Sequence, residues 1–260
     1  MLKAFFTSAT GMRAQEMLID NTANNLANVN TTGFKRSHLE FADLLYDVSK
    51  HPGAPTSEGQ TSPIGLQIGN GVRAVGTTTL WTQGSLQETG QNTHMAIEGE
   101  GFFKVTMPDG TFAYTRDGSF NKDANGLLVN GDGRPLEPNI TIPLGAQKIS
   151  ISQTGEVEII ENNVPSIVGT IQLARFSNPV GLEQIGGNLL RETFASGPEI
   201  LGIAGIEGFG MIRQGSLENS NVEVVAEMVA LITAQRAYEI NSRAIRAGDE
   251  MLSNTANLIR

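Results

Sequence analysis

The sequence predicts a mixed α and β protein: N- and C-terminal helices pair as a coiled coil, and an inserted all-β domain is joined to them by extended linkers. Three observations carry this prediction. Apolar residues recur at seven-residue spacing at both ends of the chain, the pattern changes to period two in the middle, and no proline falls between Asn221 and Arg260. The 260 residues suffice for about two domains with a buried core.

At the N-terminus, Phe5, Met12, Ile19 and Leu26 are seven apart, with Ala9, Glu16 and Ala23 four residues after the first three. Apart from Glu16, that is an a/d heptad, and it predicts a helix with one seam. The helix runs into an asparagine cluster (Asn21, Asn24, Asn25, Asn28, Asn30) and then Thr31-Thr32-Gly33. Asparagine and glycine tolerate left-handed backbone, so the helix stops by Gly33.

The C-terminus repeats the device. Val224, Leu231, Tyr238, Ile245, Leu252 and Ile259 are seven apart, with Ala230, Ala237, Ala244, Met251 and Leu258 beside most of them. Ser220 to Glu223 has the form of a capping box that would open this helix. Glu223 and Glu227 complement the positive end of its dipole, Arg260 the negative end. One seam does not hold so long a helix ordered. It needs its partner helix and, beyond that, neighbouring chains. The alternative is that both helices pack as ordinary amphipathic helices on one globular core.

From about residue 96 to 176, short alternating segments are separated by turn dipeptides. Phe103, Val105 and Met107 alternate with Lys104 and Thr106 before Pro108-Asp109-Gly110, and Phe112 and Tyr114 share a face before Asp117-Gly118. Asn125-Gly126, Asn130-Gly131 and Thr154-Gly155 mark further turns, and Ile167 to Phe176 reads as one longer strand. The pattern predicts a small sandwich or barrel, with the glycine-rich stretch Gly197 to Gly210 as a return loop. A near-repeat, Gln83-Gly84-Ser85-Leu86 before this unit and Gln214-Gly215-Ser216-Leu217 after it, suggests two legs of one connecting region. The expected division is therefore residues 1–45 and 221–260 as the helical domain, 46–95 and 197–220 as the connecting region, and 96–196 as the β domain.

Composition narrows the function. Lys and Arg number 18 against 27 Asp and Glu, a net charge of −9, which opposes binding to a nucleic-acid backbone. The absence of cysteine excludes disulfides, thiolate metal sites and cysteine nucleophiles. No apolar run reaches the ~20 residues that cross a bilayer, and the N-terminus is a poor secretory signal. Asn121 to Asp132 nearly fits a calcium loop, but strand-like flanks and the wrong residues at both ends favour a β-meander. His38, His51 and His94 lack metal-ligand spacing. Glu98 and Glu100 are better read as solvated strand residues than as paired acids, and Trp81 as a packing anchor. No catalytic, cofactor or metal site assembles, so the expectation is a non-enzyme without cofactor.

Residues 23–36, Ala-Asn-Asn-Leu-Ala-Asn-Val-Asn-Thr-Thr-Gly-Phe-Lys-Arg, resemble the N-terminal motif of bacterial flagellar rod and hook proteins; Asn24, Asn25, Leu26, Asn28, Gly33 and Phe34 carry the likeness. Gln235, Arg236 and Tyr238, in Gln-Arg-Ala-Tyr-Glu, resemble the family's C-terminal motif. Gly99-Glu100-Gly101-Phe102-Phe103 and Ala113 to Phe120 are similar to its β domain. Within the family, the chain length and the segments Asp43 to Tyr46 and Gly65 to Gly69 resemble the distal-rod branch, which has an extra stretch that hook members lack. Here it spans Asp47 to Ile64, with Pro52, Pro55 and Pro63.

The resemblance implies a structural subunit of the basal-body rod. It would polymerise with itself into a tube around an export channel, pass torque to the hook, and span the periplasm in a flagellum. The implied partners are proximal rod proteins, the hook protein, the P- and L-ring proteins and the flagellar type III export apparatus, which would take the chain out without a cleaved signal; no nucleic acid and no membrane insertion are implied. The seam residues Phe5, Met12, Ile19, Leu26, Val224, Leu231, Tyr238, Ile245, Leu252 and Ile259 would form the assembly interface, and the proline-bearing stretch would stiffen the shaft. The alternatives are another axial position (proximal rod or hook), or a periplasmic binding or enzymatic β module on helical stalks.

Overall fold

The computed structural model describes residues 2–53, 55–57, 60–61, 63–143, 145–161 and 164–258. The chain has one helix near each end and a large β-rich region between them, which makes it a mixed α and β protein. It divides into two compact units. One is built from the stretches up to Leu26, 37–78 and from Glu223 onward; the other from 27–36 and 79–222.

In the first unit, α1 (Leu2–Ala27) and α2 (Val224–Leu258) run antiparallel. A Cβ added at Gly248 would meet the Phe5 ring at 2.9 Å, and one at Gly11 would meet the Asn241 amide at 3.0 Å. Further along, Asn25 Nδ2 donates to Glu227 Oε2 at 3.4 Å. Position rises on one helix as it falls on the other.

The buried sides differ from the expected seams. Phe5, Met12, Ile19 and Leu26 are half-buried, but their expected companions Ala9, Glu16 and Ala23 are exposed; the fully buried residues of α1 are Ala14, Thr22 and Asn25. On α2, Val224, Leu231 and Ile245 are half-buried, whereas Tyr238 and Leu252 are exposed. Of the companions, Ala230 and Ala237 are half-buried but Ala244 and Met251 are exposed, and a further row runs through the buried Glu227 and Ala234 and the half-buried Asn241 and Gly248. The reason is steric: small and amide side chains let two helices approach closely, so the contact line follows them and not the largest apolar residues. Ile259 and Arg260 lie outside the described residues.

The capping box also shifts. The helix starts at Val224, and Glu227 N–H donates to the Glu223 carbonyl at 3.0 Å, so Glu223 occupies the cap position. Ser220 Oγ accepts the Val222 N–H at 3.3 Å and closes a turn ahead of the helix.

Between the helices in sequence, six strands of this unit nest as an arm. They are β1 (Ser37–Asp43), β2 (Tyr46–Lys50), β3 (Pro55–Ser57), β4 (Gln60–Thr61), β5 (Leu66–Gly69) and β6 (Val72–Thr79). β1 pairs with β6, β2 with β5 and β3 with β4. The described residues of the stretch Asp47 to Ile64 are thus largely paired strands, β2 with β5 and β3 with β4, rather than an extended linker. Pro52 and Pro63 are exposed on it, and Pro55 opens β3. Gly71 joins the arm to α1: its φ is +122° and a Cβ there would lie 2.1 Å from Thr10 Oγ1.

The second unit carries the main core. Its strands are β7 (Leu86–Glu88), β8 (Met95–Glu98), β9 (Phe102–Thr106), β10 (Phe112–Thr115), β11 (Asn121–Lys122), β12 (Leu128–Val129), β13 (Leu136–Glu137), β14 (Lys148–Ile151), β15 (Glu156–Glu161), β16 (Val164–Thr170), β17 (Gln172–Arg175), β18 (Glu183–Gly186), β19 (Leu189–Arg191), β20 (Ile200–Ile203), β21 (Met211–Gln214) and β22 (Ser216–Glu218). A seven-stranded sheet has the order β18-β19-β10-β9-β17-β20, with β13 also pairing β9; β14-β15-β16 form a second sheet. β11 and β12 form a hairpin where the calcium-loop pattern falls.

Both faces of β9 are covered, which the period-two reading did not anticipate. Phe103 and Val105 enter the larger core with Phe120, Ile97, Leu136 and Leu173. Phe102 enters a smaller one with Tyr114, Phe176 and Leu190, against which Trp81 packs. Lys104, on the same side of the strand as Phe102, is buried and pairs with Glu199 at 2.7 Å. Tyr114 Oη donates to the other Glu199 oxygen at 2.8 Å. Burial, then the hydrogen bond and charge of Glu199, push that phenol well above its ordinary range.

Two further expectations change. The long strand over Ile167 to Phe176 breaks at the fully buried Ile171 into β16 and β17, which belong to different sheets. The glycine-rich return loop contains β20, paired with β17 from Gln172↔Ile203 to Arg175↔Ile200.

Candidate functional sites: an exposed helix face and a buried ion cluster

α2 buries one side and leaves the other apolar and open. Val225, Met228, Val229, Ile232 and Ile240 are all exposed, with Ile240 at 64 % and Val229 at 58 %. Val229, Ile232, Thr233, Arg236, Ala237 and Ile240 line an open groove of about 500 Å³ along the helix. A contiguous apolar stripe of this kind, left open to water, is the type of surface that a partner covers. Arg236 and the exposed Gln235 and Tyr238 place the C-terminal motif on or beside this groove. On α1, Phe6 is likewise exposed, at 68 %.

The N-terminal motif does a different job. Asn25 is buried: its amide donates to the Ser37 carbonyl at 2.9 Å, and its oxygen accepts the Ser37 N–H at 3.0 Å. It therefore holds the start of β1 against α1 as a backbone strand would. Asn24 is exposed, and Leu26 is half-buried. In the β unit, Asn28 Oδ1 accepts the Thr31 hydroxyl at 3.1 Å, and the N–H of the half-buried Phe34 donates to Thr31 O at 3.3 Å.

Within the β unit the motif ends at a cluster of three buried charges. Lys35 Nζ lies 2.5 Å from Glu218 Oε1, and Arg116 Nη1 lies 3.4 Å from Glu218 Oε2. The Glu218 side chain has no exposed surface and also accepts the Gly84 N–H at 2.9 Å. Lys35 donates to Thr82 O at 2.8 Å, and Arg116 Nη2 to Gly99 O at 2.7 Å. Burial draws the Lys35 ammonium below its ordinary value; the Glu218 hydrogen bond and charge oppose this, and Arg116 adds to it. Burial lowers Arg116 likewise, against the charges of Glu218 and Glu100.

The cluster ties four sequence segments together. Glu218 lies in β22, which pairs with β7 through Glu218↔Leu86 and Leu217↔Gln87, so the two near-repeats are the two strands of one ribbon. Gly33 N–H donates to the Glu218 carbonyl at 2.8 Å. Its φ is +68°, and a Cβ would stand 2.6 Å from the Arg116 carbonyl carbon. Gly33→Ala is therefore expected to cost at least about 2 kcal/mol, measured as a lower urea midpoint with an unchanged slope. Lys35 and Arg116 lie inside the sequence motifs, and Glu218 directly follows the second near-repeat. The sequence reading missed their meeting, because no local spacing links positions 35, 116 and 218.

Comparison with known proteins agrees with the three motif regions. The family described as flagella basal body rod protein matches residues 6–35. The flagellar hook protein FlgE/F/G D1 domain matches 96–159, and the flagellar basal body rod FlgEFG protein C-terminal region matches 213–258. The chain is 49 % identical to the flagellar basal-body rod protein FlgG of Borreliella burgdorferi, covering 100 % of both chains. It is 44 % identical to that of Caulobacter vibrioides, over 99 % of each, and 37 % identical to that of Bacillus subtilis, over 100 % of each.

Proposed function

Since the chain belongs to the flagellar basal-body rod protein family and is a structural subunit of the basal body, we propose that it polymerises through its terminal helices into the distal segment of a tubular shaft. The exposed apolar face of α2 carries this reading. A long helix that hides one side and leaves Val225, Val229, Ile232 and Ile240 in water is half of a packing arrangement. Neighbouring copies complete it as a coiled-coil-like wall, with Phe5, Met12, Ile19 and Leu26 supporting the helix pair from the α1 side. The tube passes torque to the hook and encloses the export channel. Its other partners are the proximal rod proteins, the hook, the P- and L-ring proteins and the type III export apparatus, and the chain crosses the periplasm without a cleaved signal.

The test is concentration-dependent assembly of the purified chain, followed by sedimentation and electron microscopy. Straight tubes are expected; a chain that stays monomeric at every concentration overturns the reading.

The hairpin arm supports the distal assignment. Leu45, Ile64 and Leu66 are exposed on or beside it, at 87, 77 and 55 %. A two-stranded ribbon with apolar residues in water is suited to wedge between neighbouring subunits. Deleting residues 47–64 is expected to leave the β unit folded and to give tubes that bend. Tubes as straight as the parent's in electron micrographs exclude the wedge.

A further inference from the structure

The β unit presents a fully exposed aromatic side chain on a rigid loop, and close by in sequence an aromatic-walled cavity of its own. Phe194 is 106 % exposed. The turn that holds it is locked by hydrogen bonds: Thr193 N–H donates to Ser196 Oγ at 3.0 Å, Ala195 and Ser196 N–H to Thr193 Oγ1 at 3.2 and 3.3 Å, and Ser196 Oγ to Thr193 O at 2.8 Å. Thr193 Oγ1 in turn donates to Gly181 O at 2.6 Å, and Asn178 Nδ2 to Ala195 O at 3.1 Å. The backbone that presents this ring is already ordered, so burial by a partner costs only the rotamer freedom of the ring itself, which suits an interface anchor.

The cavity, about 210 Å³, has Trp81, Phe102, Phe176 and Pro179 on its apolar side and Glu100, Arg116, Arg175 and Ser177 on its polar side. Trp81 meets Phe102 edge-on at 5.1 Å, and Phe102 meets Phe176 at 5.9 Å. A volume of ~150 Å³ suffices for a benzene ring, so this cavity has room for a phenyl side chain beside the rings of its apolar side. Charge agrees: Arg116 and Arg175 outnumber Glu100 on the cavity wall, the half-buried Arg175 guanidinium meets the Glu207 carbonyl at 3.4 Å and the Phe209 ring, and the exposed Glu192, whose carboxylate also reaches the Tyr114 hydroxyl, stands two residues before Phe194.

We infer that Phe194 of one copy seats in the Trp81–Phe102–Phe176 cavity of the next, with Glu192 facing Arg175. Knob and hole are different patches of one chain, so the contact is heterologous. It propagates from copy to copy as a helical array, where a self-complementary patch would close a dimer. The inference rests on the homopolymer reading above and adds to it a contact between β units.

The chain has no cysteine and a single tryptophan, and both facts serve the test. Phe194→Cys protein is mixed with Ser177→Cys protein, Ser177 being an exposed residue of the cavity wall. After assembly and mild oxidation, a disulfide-linked dimer is expected in the mixture and in neither variant alone. Phe194→Ala is expected to raise the critical concentration for assembly about tenfold or more and to abolish the change in Trp81 emission that accompanies assembly of the parent. A parent chain that never assembles overturns the subunit reading and this contact with it. A parent that assembles, with Phe194→Ala assembling equally well and no mixed dimer formed, overturns this contact alone.

Discussion

Glu218→Ala is expected to destabilise the β unit by about 3–5 kcal/mol, the cost of leaving buried charges without their counter-charge. Lys35 and Arg116 both remain in the interior, with side chains 3 and 6 % exposed, and lose their shared carboxylate. The Gly84 N–H loses its acceptor as well. Urea unfolding followed by Trp81 fluorescence measures the loss. The pH dependence identifies its cause. Lys35 is already drawn below 10.5 by burial, and only Glu218 opposes that. Without Glu218 its folded value falls further, so the folded state is penalised wherever Lys35 must be protonated. The penalty is full below the folded value and fades as the pH rises toward 10.5, the unfolded value. The deficit of Glu218→Ala against the parent is therefore expected to shrink at alkaline pH, while Arg116 keeps part of it in place. A deficit of under 1 kcal/mol at neutral pH would show that the cluster contributes little.

Ile232→Asp is expected to separate folding from assembly. Ile232 is 49 % exposed on the open groove of α2, so the aspartate remains hydrated in the monomer and stability stays within about 0.5 kcal/mol of the parent. In the polymer the same carboxylate would be buried against an apolar neighbour, and the critical concentration rises by about a hundredfold or more. Leu231→Asp, one residue away on the half-buried side, lowers both monomer stability and assembly. Circular dichroism with sedimentation velocity on the two variants distinguishes the faces. If Ile232→Asp forms normal tubes, the open face of α2 is not the assembly surface.

The two ends of the chain were legible because helices announce themselves through local periodicity. Val224, Leu231 and Ile245 lie on the half-buried side of α2 as the seven-residue spacing suggested. The companion row holds only at Ala230 and Ala237, because an apolar pattern does not show where two backbones approach most closely. Gly11, Gly248, Asn25 and Glu227 decide that line, and none of them stands out in an apolar pattern. In the β unit the turn dipeptides marked the short strands, but not which strands share a sheet. Nothing local in Ile167 to Phe176 says that the chain changes sheets at Ile171, or that the glycine-rich stretch after it supplies β20. Alternation alone does not reveal the second core on the far face of β9, where Lys104 is buried.

Local residue patterns set the order of helix, β region and helix, the helix at each terminus, the exclusion of thiol chemistry, and the motifs that place the chain in its family. Those properties depend on residue type and on spacings of a few positions. The tertiary structure alone decided which side of α2 is left open and that the described residues of Asp47 to Ile64 are largely paired strands. It also decided that Lys35, Arg116 and Glu218 share one buried site, and that Phe194 stands free while an aromatic cavity lies beside its loop in the fold. Each depends on segments brought together from distant parts of the chain, and burial, the quantity that gives a charge or an aromatic ring its energetic weight, is a property of that meeting.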